Sequence, residues 1–195
     1  MANGQDTIAL RPTQQLTPNV REYKKGIYRS FREFQTNSPS EYGELVTKTR
    51  STLAQLSLQA KRSTLKVINA TGQEQKPKSY WGFSDGKDIY VKDNGLNKLL
   101  ITGYYCLYEI PVLAPARSAI DPATMTINNT TTASNQKKVI NIVSGEVYEL
   151  TPYNLKKYIL PQDPELLAEF NADKARKDQL EYYIRRFNLQ NQAGR

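Results

Sequence analysis

The chain has 195 residues, enough for one domain with its own core, and carries a net charge of +8. It contains no histidine and a single cysteine, Cys106, which excludes Ser-His and Cys-His catalysis, imidazole and thiolate metal sites, and any intrachain disulfide. The longest apolar run, 99–116, is interrupted by Gly103, Glu109, Pro111 and Pro115, so no segment suits a transmembrane helix.

Residues 1–16 are polar and unpatterned and read as a flexible tail, without the basic start and apolar centre of a signal peptide. The remainder, 17–190, reads as a single α+β domain. Thr17-Pro18 predicts a short helical turn carrying Val20 and Tyr23, stopped at Gly26. Ser30-Phe31-Arg32-Glu33 is a capping box: the serine oxygen takes one free amide of the first turn and the glutamate reaches back for another. It predicts a two-turn helix burying Phe31 and Phe34 and ending at Asn37-Ser38-Pro39. Glu44–Arg50 alternates weakly as a strand. Ser51–Arg62 fits either helix or strand, and Leu65–Asn69 predicts a strand closed by Thr71-Gly72.

Asp85-Gly86 lies between runs rich in aromatic and β-branched residues and predicts a tight hairpin. A two-residue turn pairs Phe83 with Asp88, Gly82 with Ile89, Trp81 with Tyr90 and Tyr80 with Val91. One face then carries Trp81, Phe83 and Tyr90, and the other Tyr80, Ile89 and Val91. Both faces are apolar, so the hairpin should be covered on both sides. Asp93-Asn94-Gly95 predicts a turn into one long strand, about Lys98–Ile110. Residues 114–136 are rich in Pro, Thr and Asn and read as a mobile loop, with Ile120, Met125 and Ile127 its only sizeable apolar residues. A second hairpin turns at Ser144-Gly145.

Thr151-Pro152 caps a short helix to Leu160, with Tyr153, Leu155 and Tyr158 expected to be partly buried. Asp163-Pro164-Glu165 opens a last helix running to about Leu189, apolar at its two ends and polar through NADKARKDQ. The predicted fold is an antiparallel sheet of five to seven strands with short N-terminal helices and two C-terminal helices.

The segments GIYRSFREFQTNSPS (26–40), YWGFSDGKDIYV (80–91) and SGEVYELTPYNLKKYILPQDPELLAEF (144–170) resemble a family of exported Bacteroidetes proteins of unknown function. The resemblance covers about residues 26–188. It implies a periplasmic or outer-membrane-associated location and other envelope proteins as partners, and it implies no activity. Asp6-Thr7-Ile8 also looks like the O-glycosylation signal of exported proteins from that group.

No residue pattern in the chain predicts catalysis, a metal or a cofactor. Asp85, Asp88 and Asp93 do not form a calcium loop, because Lys87 and Ile89 occupy ligand positions. Asp88 and Glu109 are the carboxylates weighed for a glycan hydrolase. Trp81, Tyr90, Tyr104 and Tyr105 are candidates for stacking on sugars or bases, with core packing as the competing role. Lys174, Arg176, Lys177, Arg185 and Arg186 are candidates for an anion site on a basic helix, with a solvated face as the competing role. Residues 1–78 hold 13 basic against 6 acidic residues, so polyanion binding by this part is a further alternative. The charge is spread rather than gathered in a stripe, which argues against nucleic acid as partner. The leading expectation is a non-enzymatic accessory or binding module of the bacterial cell envelope, acting through protein–protein contacts.

Overall fold

Alternation along the central strand β8 (Tyr105–Leu113) divides the protein into two apolar layers. Tyr105 and Leu107 face one way, while Cys106, Tyr108 and Ile110 face the other, and all five are buried. A strand covered on both sides needs such a continuous apolar run. The structure, a computed structural model, describes residues 22–46, 65–113, 117–120, 127–130 and 133–191.

The architecture is α+β. Strands β1 (Gly26–Tyr28), β5 (Gly82–Ser84), β6 (Ile89–Lys92), β7 (Leu96–Ile101), β8, β11 (Ala133–Asn141) and β12 (Val147–Glu149) form a seven-stranded antiparallel sheet in the order β1-β5-β6-β7-β8-β11-β12. Strands β2 (Glu44–Leu45), β3 (Val67–Ile68) and β4 (Glu74–Gln75) form a small second sheet. Strands β9 (Arg117–Ile120) and β10 (Ile127–Thr130) pair with each other.

The helices are built by their caps. Helix α1 (Phe31–Gln35) starts at Ser30, whose Oγ accepts from the Glu33 amide at 3.3 Å, while the Glu33 carboxylate reaches back to the Arg29 amide at 2.7 Å. Helix α2 begins as Pro152–Asn154 under a Thr151 cap, widens into a π-helical turn over Leu155–Ile159, and tightens into a 3₁₀ turn at Leu160–Gln162. Helix α3 (Pro164–Ala172) is capped by Asp163 and followed by α4 (Leu180–Gln190).

On one face of the sheet, Leu155, Ile159 and Leu160 of α2, Leu166 and Phe170 of α3, and Tyr183, Ile184 and Phe187 of α4 pack on Ile101, Tyr105, Leu107, Val139 and Leu150. The opposite face buries Ile89, Val91, Leu99, Ile140 and Ile142 beneath Tyr28 and Phe34. A third cluster joins Ile27, Phe83, Tyr90 and Leu96 to Leu45 and Val67 of the small sheet.

Five expectations are corrected. Gly26 opens β1 instead of ending a helix, and Tyr23–Lys25 are not helical; residues 17–21 and 47–64 lie outside the described residues. The central hairpin pairs Gly82 with Val91, Phe83 with Tyr90 and Ser84 with Ile89, two places from the expected register. The turn centres one residue later, on Gly86-Lys87: Asp85 N donates to the Asp88 carbonyl at 3.2 Å, and the Asp85 carboxylate accepts from the amides of Lys87 (2.9 Å) and Asp88 (2.7 Å). A slip of two keeps the faces of Phe83, Tyr90, Ile89 and Val91. However, Trp81 and Tyr80 exchange sides, because the regular strand begins only at Gly82. Gly82 sits so close to the partner strand that a Cβ there would meet the Tyr90 carbonyl at 2.6 Å.

The long strand 98–110 is two strands, β7 and β8, joined through Gly103. The stretch read as a loop contains β9, β10 and the start of β11; residues 114–116, 121–126 and 131–132 lie outside the described residues. Finally, the single last helix is a pair. Leu166 with Phe170, and Tyr183 with Ile184 and Phe187, reach the same core only if the polar segment between them turns back.

Candidate functional site

The structure uses the aromatic candidates for packing. Tyr90 and Tyr105 are buried, Tyr105 with its hydroxyl accepting from Gln162 Nε2 at 2.7 Å. Tyr104 is half-buried between Tyr105 and the Phe187 ring. Trp81 stacks on Phe34 with centroids 4.4 Å apart and meets Phe31 edge-on. These four rings are spread over three clusters and form no common platform for a sugar or a base.

The basic candidates are likewise dispersed. Lys174, Arg176 and Lys177 sit on the turn between α3 and α4, not on a helix face. The Arg176 guanidinium donates to the Asp173 carbonyl at 2.8 Å and lies over Phe170. On α4, Arg185 is exposed, while Arg186 is tied to Glu169 at 2.7 Å. Arg11, Arg21, Lys48, Arg50, Lys61 and Arg62, part of the basic first third, lie outside the described residues.

Each carboxylate weighed for hydrolysis is held by a lysine. Lys98 meets Asp88 at 2.8 Å, and Lys137 lies 3.7 Å from Glu109 while also bonding Glu181. Asp93, in the turn before β7, receives Lys138 Nζ at 2.7 Å and the Tyr108 hydroxyl at 2.8 Å. Burial pushes its carboxyl up, but the lysine and the phenol outweigh this and hold it below its ordinary value. Burial pushes the Cys106 thiol up to about 12, which leaves it a packed apolar group rather than a nucleophile.

The exposed chemistry lies elsewhere, on α2 and the adjoining end strand. With Leu155, Ile159 and Leu160 turned into the core, Tyr153 is left 65% exposed and Tyr158 38% exposed. Tyr158 is thus partly covered, as expected, while Tyr153 is more exposed than expected, because the inward positions of this irregular helix are taken by the aliphatic residues. Lys157 lies between the two rings: its ammonium donates to the Tyr153 hydroxyl at 3.0 Å and sits 4.8 Å from the Tyr158 centroid. Tyr158 in turn stacks on Tyr148 of β12, with centroids 4.8 Å apart and planes 13° off parallel. The Tyr148 hydroxyl donates to Glu146 at 2.8 Å. Burial, with Glu146 second, pushes that hydroxyl up to about 12. These four side chains thus form a continuous, mutually braced surface.

Strand β12 closes the sheet on this side. Leu150 donates to Lys137 O and Asn141 to Glu146 O, so alternation turns the backbone of Val147 and Glu149 outward. The Glu149 carbonyl is already taken by Asn154 Nδ2 at 2.9 Å. So short and partly capped an edge offers little to an added strand, and contact here falls to side chains. The other end of the sheet is covered, as Ile27 donates to the Glu41 carbonyl and Arg29 pairs with Glu41.

Among the described residues, no helix is long and apolar enough to cross a membrane. Comparison with protein-family models, with curated proteins and with solved structures finds no match to this chain.

Proposed function

We propose that this chain is a non-enzymatic binding module of the bacterial cell envelope and that it acts through protein–protein contacts at the Tyr148–Tyr153–Lys157–Tyr158 surface. The observation that carries the reading is that two exposed tyrosines are held in place by Lys157 and Tyr148. Interfaces draw much of their energy from large aromatic side chains that lose little freedom on binding, and bracing before binding removes part of that cost. The stacking also disfavours a sugar at Tyr158, because Tyr148 and the Lys157 ammonium already lie against its ring. The envelope location and the envelope partners rest on the resemblance of residues 26–40, 80–91 and 144–170 to exported proteins.

Affinity capture from a native envelope fraction under mild crosslinking tests the proposal. The wild-type chain should retain a defined partner that the Tyr153→Ser/Tyr158→Ser variant loses while keeping its far-UV spectrum. A wild-type chain recovered only as a free monomer, or a partner retained equally by the variant, would remove the basis for it.

A further inference from the structure

We infer that Tyr153 and Lys157 form the recognition point for a carboxylate on the bound protein, so that the partner presents an acidic side chain next to an apolar one. This inference rests on the contact surface proposed above and adds the chemistry of what it receives.

Lys157 Nζ donates one of its three N–H groups to the Tyr153 oxygen, at 3.0 Å. Tyr153 accepts that bond, which leaves its own O–H to donate, and no acceptor for it is found among the described residues. Nor does any described carboxylate pair with Lys157 or with its neighbour Lys156. The Tyr153 O–H and the Lys157 ammonium, which also rests against the Tyr158 ring, thus stand side by side as donors on an exposed surface. Hydrogen bonds from an ammonium and a phenol to a carboxylate are of the strong, charge-assisted kind.

The surroundings select among anions. Glu146 and Glu149 on β12 are exposed beside this surface and would repel a densely charged polymer. Residues 144–173 contain no arginine, the side chain that grips phosphate by two parallel bonds. The stacked Tyr148 and Tyr158 rings beside the donors supply an apolar neighbour instead. A single carboxylate next to an aliphatic or aromatic residue fits this arrangement, with Lys156 and Lys157 as the basic residues of the 144–173 stretch.

Chemical-shift titration of the full chain with N-acetyl-Leu-Glu-Leu-Glu-Leu amide, and with the same peptide carrying Gln for Glu, decides the question. Inorganic phosphate and a sulfated oligosaccharide serve as competing anions. The Glu peptide should perturb amides of β12 and α2 and bind about tenfold more tightly than the Gln peptide. Tyr153→Phe and Lys157→Gln should each weaken the Glu peptide by up to about tenfold and leave the Gln peptide unchanged. Equal binding of both peptides, perturbation centred elsewhere, or tighter binding of phosphate or the sulfated sugar would overturn the inference. Capture of an envelope partner that survives Lys157→Gln would also overturn it while leaving the contact surface intact. Failure of wild-type capture would instead remove the contact surface, with the peptide comparison still deciding the carboxylate preference.

Discussion

The carboxamide of Asn188 satisfies both backbone polar groups of Tyr105: Nδ2 donates to the Tyr105 carbonyl at 2.9 Å, and Oδ1 accepts from the Tyr105 amide at 2.8 Å. A side chain of α4 thereby imitates a neighbouring strand at the first residue of β8. Gly103 makes this possible, since a Cβ there would overlap the Asn188 side chain.

Asn188→Ala should lower unfolding free energy by about 2–4 kcal/mol, because it strands two backbone groups at a buried residue. Urea titration measures this as a shifted midpoint with unchanged slope. Gly103→Ala should also destabilise, but less when Asn188 is already alanine, since the two nearest overlapping atoms are then gone and the Cβ at 2.8 Å remains. Strict additivity of the two changes would show that the contact does not couple them.

Asp93 should govern part of the acid sensitivity. Its carboxyl is held below the ordinary value of 3.8, so its contribution is present above that pH and is lost as pH falls through the lower, folded value. Asp93→Asn should lower stability near neutral pH and flatten the acid limb of the pH–stability curve. Parallel curves for the two proteins would contradict the ion pair with Lys138.

At the alkaline end, burial raises the hydroxyls of Tyr28, Tyr90 and Tyr108 well above their ordinary value of 10.0. A group raised on folding stabilises below its unfolded value, and that stability disappears as pH climbs through the folded one. Phenolate absorbance should therefore rise in two stages. Exposed tyrosines ionise first, and the buried ones ionise together with loss of the far-UV signal. A single stage with secondary structure intact would show that these rings are open to solvent.

Phe34→Ala should cost about 3–5 kcal/mol, the range for removing a buried aromatic. Because Phe34 covers the Trp81 ring, the same change should move tryptophan emission to the red. Soluble glycans should leave wild-type emission unchanged. Quenching by a glycan would restore Trp81 as a ligand-stacking residue.

Much of the architecture was legible because local chemistry and tertiary context agree. Ser30, Thr151 and Asp163 each cap the helix that their neighbours announce. The hairpin around Asp85-Gly86 reads as covered on both sides, and both of its faces are buried, Ile89 and Val91 in one cluster and Phe83 and Tyr90 in another. The failures lie where distant packing decides. Nothing local to Gly103 says that Asn188 will fill the space above it and split one strand into two. Residues 173–179 have helical composition, but Asp173 instead accepts the Tyr183 hydroxyl at 2.9 Å across the returning pair. The exposure of Tyr153 and Tyr158 is decided by distant packing in the same way. Aromatic density around Trp81 drew attention to rings that the core consumes. Tyr153 and Tyr158 are at a spacing compatible with burial and are displaced outward only because Leu155, Ile159 and Leu160 fill the inward side.

Photo-crosslinking from position 153 in intact envelopes most directly tests the central claim of a protein-contact surface on α2. A photoreactive phenylalanine replacing Tyr153 should give one discrete adduct with another protein, and the same group replacing the exposed Lys174 should give none. No adduct at 153, or equal adducts at both positions, would contradict the account.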